Sequence, residues 1–483
     1  MTEKDKNFYI TTTLPYVNAD PHVGFAMEFV RADVIARWKK SQGYNVFFNT
    51  GTDEHGQKLF DLAKKEGVDV QEYVDGYAEK FRGLKELLGI IPDVHFIRTT
   101  DENHIKAAQT FWRLCNQNGY IYKKTYQAKY CVGCELEKTD SELDEDGECP
   151  IHKGRPIELI DEENYFFKWS AFQKPLLAFY EENPNFVIPD FRFNEIKAFV
   201  ERGLEDFSIS RLKSKMSWGI PVPDDEEQVM YVWFDALVNY ISTLGWPTER
   251  EFKDFWIYGT PTQYCGKDNL RQQSAMWQSM LMAAGISNSH KIIVNGFITG
   301  DGGIKMSKST GNVVNPYDVV SGYGTDALRF FLLKEVSSFE DSPFTMDRFK
   351  ASYNANLANG LGNLTSRLLN MTVSYGVSFD HITFESLAND EIEKAYNEFD
   401  IAKVMNIVWA EINGLDKFIQ ETEPFKTIKT DEVKAHSDLK YAILRLSHIA
   451  VTLAPLLPST SEKIITLIKE NKKPEQPLFL RKE

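Results

Sequence analysis

The chain has 483 residues, 42% of them hydrophobic and 26% charged, and a formal net charge of -15. That length allows two or three domains with a large core, and the composition is that of an ordinary soluble globular chain. The acidic balance excludes a surface coated in positive charge for indiscriminate nucleic-acid binding, although a local basic path is still possible, and most of the acidic excess lies before residue 345. No apolar run approaches the roughly 18 residues that a membrane helix needs, and the mixed-charge start, Met1 to Lys6, shows no targeting peptide. The expectation is a cytoplasmic protein without membrane contact. Five cysteines, three of them clustered, suggest a cytosolic metal site over a disulfide framework.

In chain order, residues 8–12 read as a strand, and 24–40 as a helix with Phe25, Phe29, Val30, Val34, Ile35 and Trp38 on one side. Residues 45–48 and 95–97 read as short buried strands, and Asp101 caps a helix running to about Cys115. This alternation implies an α/β fold with a doubly wound parallel sheet. From about Gly119 to Ser217, cysteines, acidic turns and Pro-bounded segments replace it, which suggests an insertion. The α/β pattern resumes with a strand-like run at 229–233 and continues to about Pro316. From about Met346 the pattern is almost wholly helical, with Leu357, Leu361, Leu364, Leu368 and Leu369 at helical spacing. The tail around 472–475 is expected to be mobile.

Three motifs carry chemistry. Cys131-Val132-Gly133-Cys134 and Cys149-Pro150-Ile151-His152 put four soft or borderline ligands on two turns, a set that suits one structural, tetrahedral zinc ion. Cys115 and Cys265 read as ordinary thiols. The segment from Leu14 to Gly24 joins the first strand to the first helix, whose N-terminus is a natural phosphate site; there His22 can donate to phosphate, and Gly24 lets a flat base approach. Gly302-Gly303-Ile304-Lys305-Met306-Ser307-Lys308-Ser309 puts two lysines on a Gly-hinged loop able to close over a triphosphate. By themselves, His22 could be a plain helix cap and the lysine loop a solvated surface.

His22-Val23-Gly24 resembles the first signature of class I aminoacyl-tRNA synthetases, His-Ile-Gly-His, and Lys305 to Ser309 matches their second signature. Their order, with a zinc insertion between, is similar to the methionyl-tRNA synthetase family over nearly the whole chain. The resemblance implies a Rossmann-type catalytic domain in two halves, 1–117 and 218–320. Between them lies a connective insertion with a zinc knuckle, 118–217. A stem-contact segment, 321–345, and an α-helical anticodon-binding bundle, 346–483, follow. It also implies a ligase that activates L-methionine with ATP and Mg²⁺ and transfers it to tRNA(Met).

The implied catalytic groups are His22, Lys305 and Lys308, with Asn18, Gly24, Gly266 and Asp268 joining them around ATP. The implied methionine site is Leu14, Tyr16, Asp53, Trp233, Ala236, Leu237, Tyr240, Gln273 and Trp277, with Asp53 on the ammonium group. The anticodon readers would be Asn363, Arg367 and Phe425. Relatives carrying an appended dimerising module have more chain, so a monomer is expected.

The pattern departs from the family at several positions. Phe25 stands where the second signature histidine belongs, Gln273 replaces a histidine, Asn269 replaces an apolar residue, and Phe425 replaces a tryptophan. Phe25 leaves open a catalytically weakened tRNA-binding relative, and another class I synthetase is the further alternative. About 100 residues between the α/β halves are too few for the large editing insertion of the branched-chain enzymes.

Overall fold

The computed structural model describes residues 6–131, 136–138, 143–150, 153–154, 157–303, 314–378 and 382–483. Its central sheet is parallel, in the order His95–Arg98, Asn45–Thr52, Asn7–Thr11, Thr262–Gly266, Lys291–Asn295, Val187–Ile188. Phe8, Tyr9 and Ile10 are buried on both faces of the first strand, as the continuous apolar run requires of a sheet covered on both sides. The chain builds outward from the first strand through Asn45–Thr52 to His95–Arg98, then restarts on the other side at Thr262–Gly266. The order therefore reverses between Asn7–Thr11 and Thr262–Gly266, and in such sheets ligands sit beyond the carboxyl ends at that reversal.

The helix Val23–Ser41 follows the first strand. Lys39 and Lys40 lie in its last turn, where the negative end of the helix dipole favours them. Asp101 precedes the helix Glu102–Gln117 as expected, but its carboxylate accepts from Arg98 N–H at 2.9 Å and makes no cap bond to the helix.

A four-stranded antiparallel sheet lies within the region expected as an insertion. The strands Ile121–Cys131 and Ile157–Phe167 pair in one unbroken register, from Ile121 against Phe167 to Cys131 against Ile157. Eleven residues of strand carry Cys131 roughly 35 Å from the start of the ribbon. The same stretch of chain returns to the core, because Val187–Ile188 pairs with Lys291–Asn295 as the edge of the central sheet. A two-residue strand has no period that a sequence pattern could reveal.

The run at 229–233 also differs from expectation. The strand Asp225–Met230 belongs to an antiparallel sheet with Pro221–Val222 and Ser210–Leu212, and Val232 already opens the helix Val232–Ala236. Short apolar runs do not distinguish strand from helix; here the turn carries Asp235 into a buried contact with His55 and His104.

The C-terminal part is helical: Met346–Ser352, Tyr353–Gly362, Asn363–Ser374, Asp390–Asn397, Ile401–Thr422, Pro424–Thr427, Glu432–Leu453 and Pro458–Lys469. The five leucines at helical spacing are all in its core. Residues 471–473 are exposed, but the chain beyond them is held: Tyr353 Oη donates to Leu480 O at 2.9 Å, and Asn354 Nδ2 donates to Lys482 O at 2.7 Å. Among the described residues no helix is long and apolar enough to cross a membrane.

Two buried arginines bind these parts together. Arg31, on the first helix, donates to Asn295 Oδ1 at 2.8 Å and to the carbonyls of Val336, Ser337 and Ser338. Arg329 pairs with Asp33 at 2.8 Å, both side chains fully buried, and also donates to Leu88 O, Pro455 O and Leu456 O. Asp33 in turn accepts from Ile91 N–H and Arg37. Several carbonyls and a carboxylate surround the two guanidinium groups, and only Arg31 Nε and Asn295 Nδ2 are without a partner there among the described residues, so removing an ionic partner leaves a buried charge away from solvent. Arg329→Met is expected to lower stability to urea unfolding by about 3–5 kcal/mol, whereas Arg82→Met on the exposed Glu79 pair should change it by under about 1 kcal/mol.

Candidate active site

Two hollows adjoin at the carboxyl end of the central sheet, astride the reversal of strand order. One, of about 260 Å³, is lined by Thr12, Thr13, His22, Gly24, Glu28, Gly51, Gly266, Asp268, Asn295 and neighbours. The other, of about 440 Å³, is lined by Leu14, Tyr16, Asp53, Trp233, Ala236, Leu237, Tyr240, Gln272, Gln273 and neighbours. They share Thr13, Pro15, Phe25, Asp268 and Asn269. Residues as far apart in the chain as Thr12 and Asn295 thus face one two-lobed cleft.

His22 is the N-cap of the first helix, and its Nδ1 accepts from Gly24 N–H at 3.0 Å. In the neutral ring that bond puts the proton on Nε2, which becomes a donor. A side chain at residue 24 would meet the imidazole at 2.7 Å, so glycine is what lets the ring fold back over the helix start. Phe25 lies against this ring, with centroids 4.3 Å apart, and meets Phe81 edge-on at 5.3 Å. It forms an apolar wall common to both lobes.

Asn18 is not among the residues lining either lobe. With its amide turned to satisfy both neighbours, it donates to Tyr16 O at 3.2 Å and accepts from Lys58 Nζ at 2.6 Å.

Asp53 is held where the first two strands end. Its N–H donates to Pro15 O at 2.9 Å, and its carbonyl accepts from Val17 N–H at 3.2 Å. Close packing here needs Gly51, because a side chain would overlap Ile97 O at 1.8 Å. The Asp53 carboxyl is buried, and its Oδ1 has no partner among the described residues. Burial pushes its pKa well up, and the charges of Asp235 and Glu54 push further. A buried acid with an unfilled acceptor suits a cationic ligand group.

Behind it, Asp235 lies fully buried between His55 Nδ1 at 2.8 Å and His104 Nε2 at 3.1 Å. Burial alone would raise Asp235; the two rings outweigh it and hold the carboxyl below the usual range. His104 continues to Ser242 Oγ at 2.9 Å. The chain His55, Asp235, His104 fastens the Asp53 loop to the wall carrying Trp233 and Tyr240. Sequence reading missed it, because its members are 131 and 180 positions apart.

Trp277 does not line the larger lobe. It is fully buried and packs on Tyr240, Phe111 and Trp256 with centroids 6.0, 5.6 and 6.2 Å away. Gln273 does reach the lobe and donates to Tyr240 Oη. Gln272 was not anticipated; it lines the same lobe with a buried, unpartnered Oε1. Glu28 was also not anticipated, although it lies four residues after Gly24, on the same helix face. It accepts from Thr13 N–H at 2.7 Å, and its pKa is pushed up to about 7, chiefly by burial and further by Asp268.

Lys305 and Lys308, together with Cys134 and His152, lie outside the described residues, as does the side chain of Cys131. Cys149 is fully buried in the turn at 143–150, which Asp144 closes by accepting from Asp146 and Glu148 N–H. Among the described residues alone, no three metal-ligating side chains gather.

In the helical region, Asn363 is exposed at the start of Asn363–Ser374. One turn on, Arg367 pairs with Asp416 at 2.6 Å. Phe425 is 42% exposed, with Lys426 beside its ring.

The family model for tRNA synthetases class I (M) matches residues 8–156 and 145–369. The methionine–tRNA ligase of Thermotoga maritima is 38% identical across 97% of this chain and 76% of its own. That of Thermosynechococcus vestitus is 40% identical across 95% and 89%. The solved Mycobacterium tuberculosis methionyl-tRNA synthetase in complex with methionyl-adenylate superposes with a TM-score of 0.86 at 32% identity, covering 96% of this chain and 94% of its own. With matches of this extent, carried by a cleft built at the reversal of a parallel sheet, the chain belongs to the methionyl-tRNA synthetase family of class I aminoacyl-tRNA synthetases.

Proposed function

We propose that the protein is a methionine–tRNA ligase whose two-lobed cleft holds methionine in the larger lobe and the nucleotide in the smaller. The observation that carries this reading is the pairing of a buried, half-satisfied Asp53 with an apolar and aromatic hollow that opens directly onto the helix start at His22. The methionine carboxylate attacks the α-phosphorus of MgATP and pyrophosphate leaves. The resulting methionyl-adenylate then passes its acyl group to the 3′-terminal ribose of tRNA, releasing AMP.

In this reading Asp53 accepts from the substrate ammonium group. Leu14, Tyr16, Trp233, Ala236, Leu237 and Tyr240 surround the thioether, an apolar and polarisable group. Asp268 and Gly266 meet the ribose, while His22 donates through Nε2 to phosphate. Lys305 and Lys308 neutralise charge building on the leaving pyrophosphate. Phe25 cannot donate; its ring instead holds the imidazole of His22 and keeps water from the junction of the lobes. Asn363, Arg367 and Phe425 meet the anticodon, the phenyl ring offering a stacking platform.

Cys131, Cys134, Cys149 and His152 would hold one structural zinc ion. Three thiolates and an imidazole suit its tetrahedral preference, and the complete burial of Cys149 at a tight turn fits a metal ligand. The ion would cross-link the tip of the long antiparallel ribbon.

Pyrophosphate exchange across the twenty amino acids tests the function: methionine should support it and the others should not. Loss of exchange with retained tRNA binding would favour a noncatalytic relative. Lys308→Ala should abolish exchange and leave methionine binding measurable. Asp53→Asn should raise the KM for methionine by about tenfold or more, as expected for losing a charge-assisted bond. Metal analysis should find one zinc per chain, and Cys149→Ser should lose it; full zinc content in that variant would remove Cys149 from the ligand set.

The raised Glu28 pKa also predicts a pH effect. The folded chain keeps a proton on Glu28 up to about pH 7, whereas the unfolded one releases it near the ordinary glutamate value of 4.5. Stability from this group is therefore present below about pH 4.5 and falls as pH rises towards 7. Glu28→Gln should flatten that part of the stability profile measured by urea unfolding between pH 4.5 and 7.5.

A further inference from the structure

The hydroxyl of Tyr240 ends a chain of buried hydrogen bonds whose direction can be worked out from its other end. The backbone N–H of Ser289 can only donate, and it donates to Gln278 Oε1 at 3.1 Å. The amide nitrogen of Gln278 therefore faces the other way, donating to Ser289 Oγ at 3.1 Å and to the backbone carbonyl of Gln273 at 2.8 Å. That carbonyl can only accept, so it fixes the same orientation independently.

Having accepted from Gln278, the Ser289 hydroxyl gives its single proton to Gln263 Oε1. Gln263 Nε2 then donates to Gln273 Oε1 at 2.7 Å, and Gln273 Nε2 donates to Tyr240 Oη. We propose that this one-way chain, anchored on the Ser289 N–H, fixes the Tyr240 hydroxyl as a donor into the larger lobe. Ser289, Gln278 and Gln263 are then positioning residues for a ligand side chain with an acceptor near its tip. The proposal rests on the reading of that lobe as the amino-acid site.

The chain is isolated from water, since all five side chains are at most 3% exposed. Reversing any one member would set two donors or two acceptors face to face without solvent to relieve them, which costs more than a hydrogen bond is worth. Burial pushes the Tyr240 phenol far above its usual range, and none of the other four groups titrates, so the polarity holds across the working pH range. No described residue accepts the remaining Tyr240 proton, and the ring lines the lobe. A thioether sulfur can accept it. A methylene at the same place cannot, and it leaves a buried donor unmatched.

The test compares methionine with norleucine, of the same shape but with a methylene for sulfur, as substrates for pyrophosphate exchange. Wild type should prefer methionine. Ser289→Ala cuts the chain, and Gln263→Glu inverts it, because a carboxylate demands donors from both sides and turns the Gln273 amide over. Each should lose about three- to tenfold of the methionine preference, through the methionine KM with kcat kept, while norleucine constants hold. Ser289→Thr, which keeps the hydroxyl, should restore the preference.

A merely structural role would move both amino acids together. Parallel losses, or an unchanged preference in folded Ser289→Ala, overturn the proposal while leaving the amino-acid site intact. A wild type that exchanges with neither amino acid overturns the site reading, and the proposal with it.

Discussion

The site depends on one parallel pairing: Ile10 against Thr262 and Thr11 against Gln263. These are the only two strands of the sheet that neighbour each other across the reversal of order. Their carboxyl ends release the loop to His22 on one side and the loop to Asp268 on the other. Backbone hydrogen bonds fix where each strand ends, so the two loops meet by necessity, whatever their sequences. The two arginines then hold the remaining parts to this frame. Arg31 draws Asn295 and the 336–338 segment onto the first helix, and Arg329 anchors the helical region to Asp33. Each guanidinium is bonded to several oxygens, the condition under which a buried charge is tolerated, although Arg31 Nε has no partner among the described residues.

Around the larger lobe, charge is handled in two contrasting ways. Asp235 is saturated, with an imidazole on each oxygen, and acts as a fastener between the Asp53 loop and the facing helix. Asp53 lies close enough to feel the Asp235 charge, yet one of its oxygens is left without a partner. An unsatisfied buried acceptor is a cost in the empty protein, and a cationic ligand relieves it. The same contrast holds for the amides. Gln263, Gln273 and Gln278 are tied into a continuous network, while Gln272 keeps a buried oxygen open on the lobe.

The departures from the family pattern become intelligible in the packing. Phe25 trades a hydrogen-bond donor for an aromatic contact with His22, and it lines both hollows as an apolar partition. Gln273 keeps a donor towards Tyr240, as a histidine could, but its orientation is dictated by its neighbours and it does not titrate. Trp277, expected at the pocket, instead supports Tyr240 from within the core.

The sequence by itself determined the parallel α/β core, the helical C-terminal region and the family, because these rest on periodicity and on motifs whose residues are close together in the chain. His22 and Gly24 were legible for that reason, as was the Asp53 segment after the second strand. Only the tertiary structure decided that 187–188 completes the sheet, that 229–233 breaks into strand and helix, and that Glu28 and Gln272 face the cleft. It alone joined His55, Asp235 and His104, and gave the amide chain its direction. The reason is physical: burial, desolvation and hydrogen-bond polarity are properties of neighbours in space, and those neighbours lie far apart along the chain.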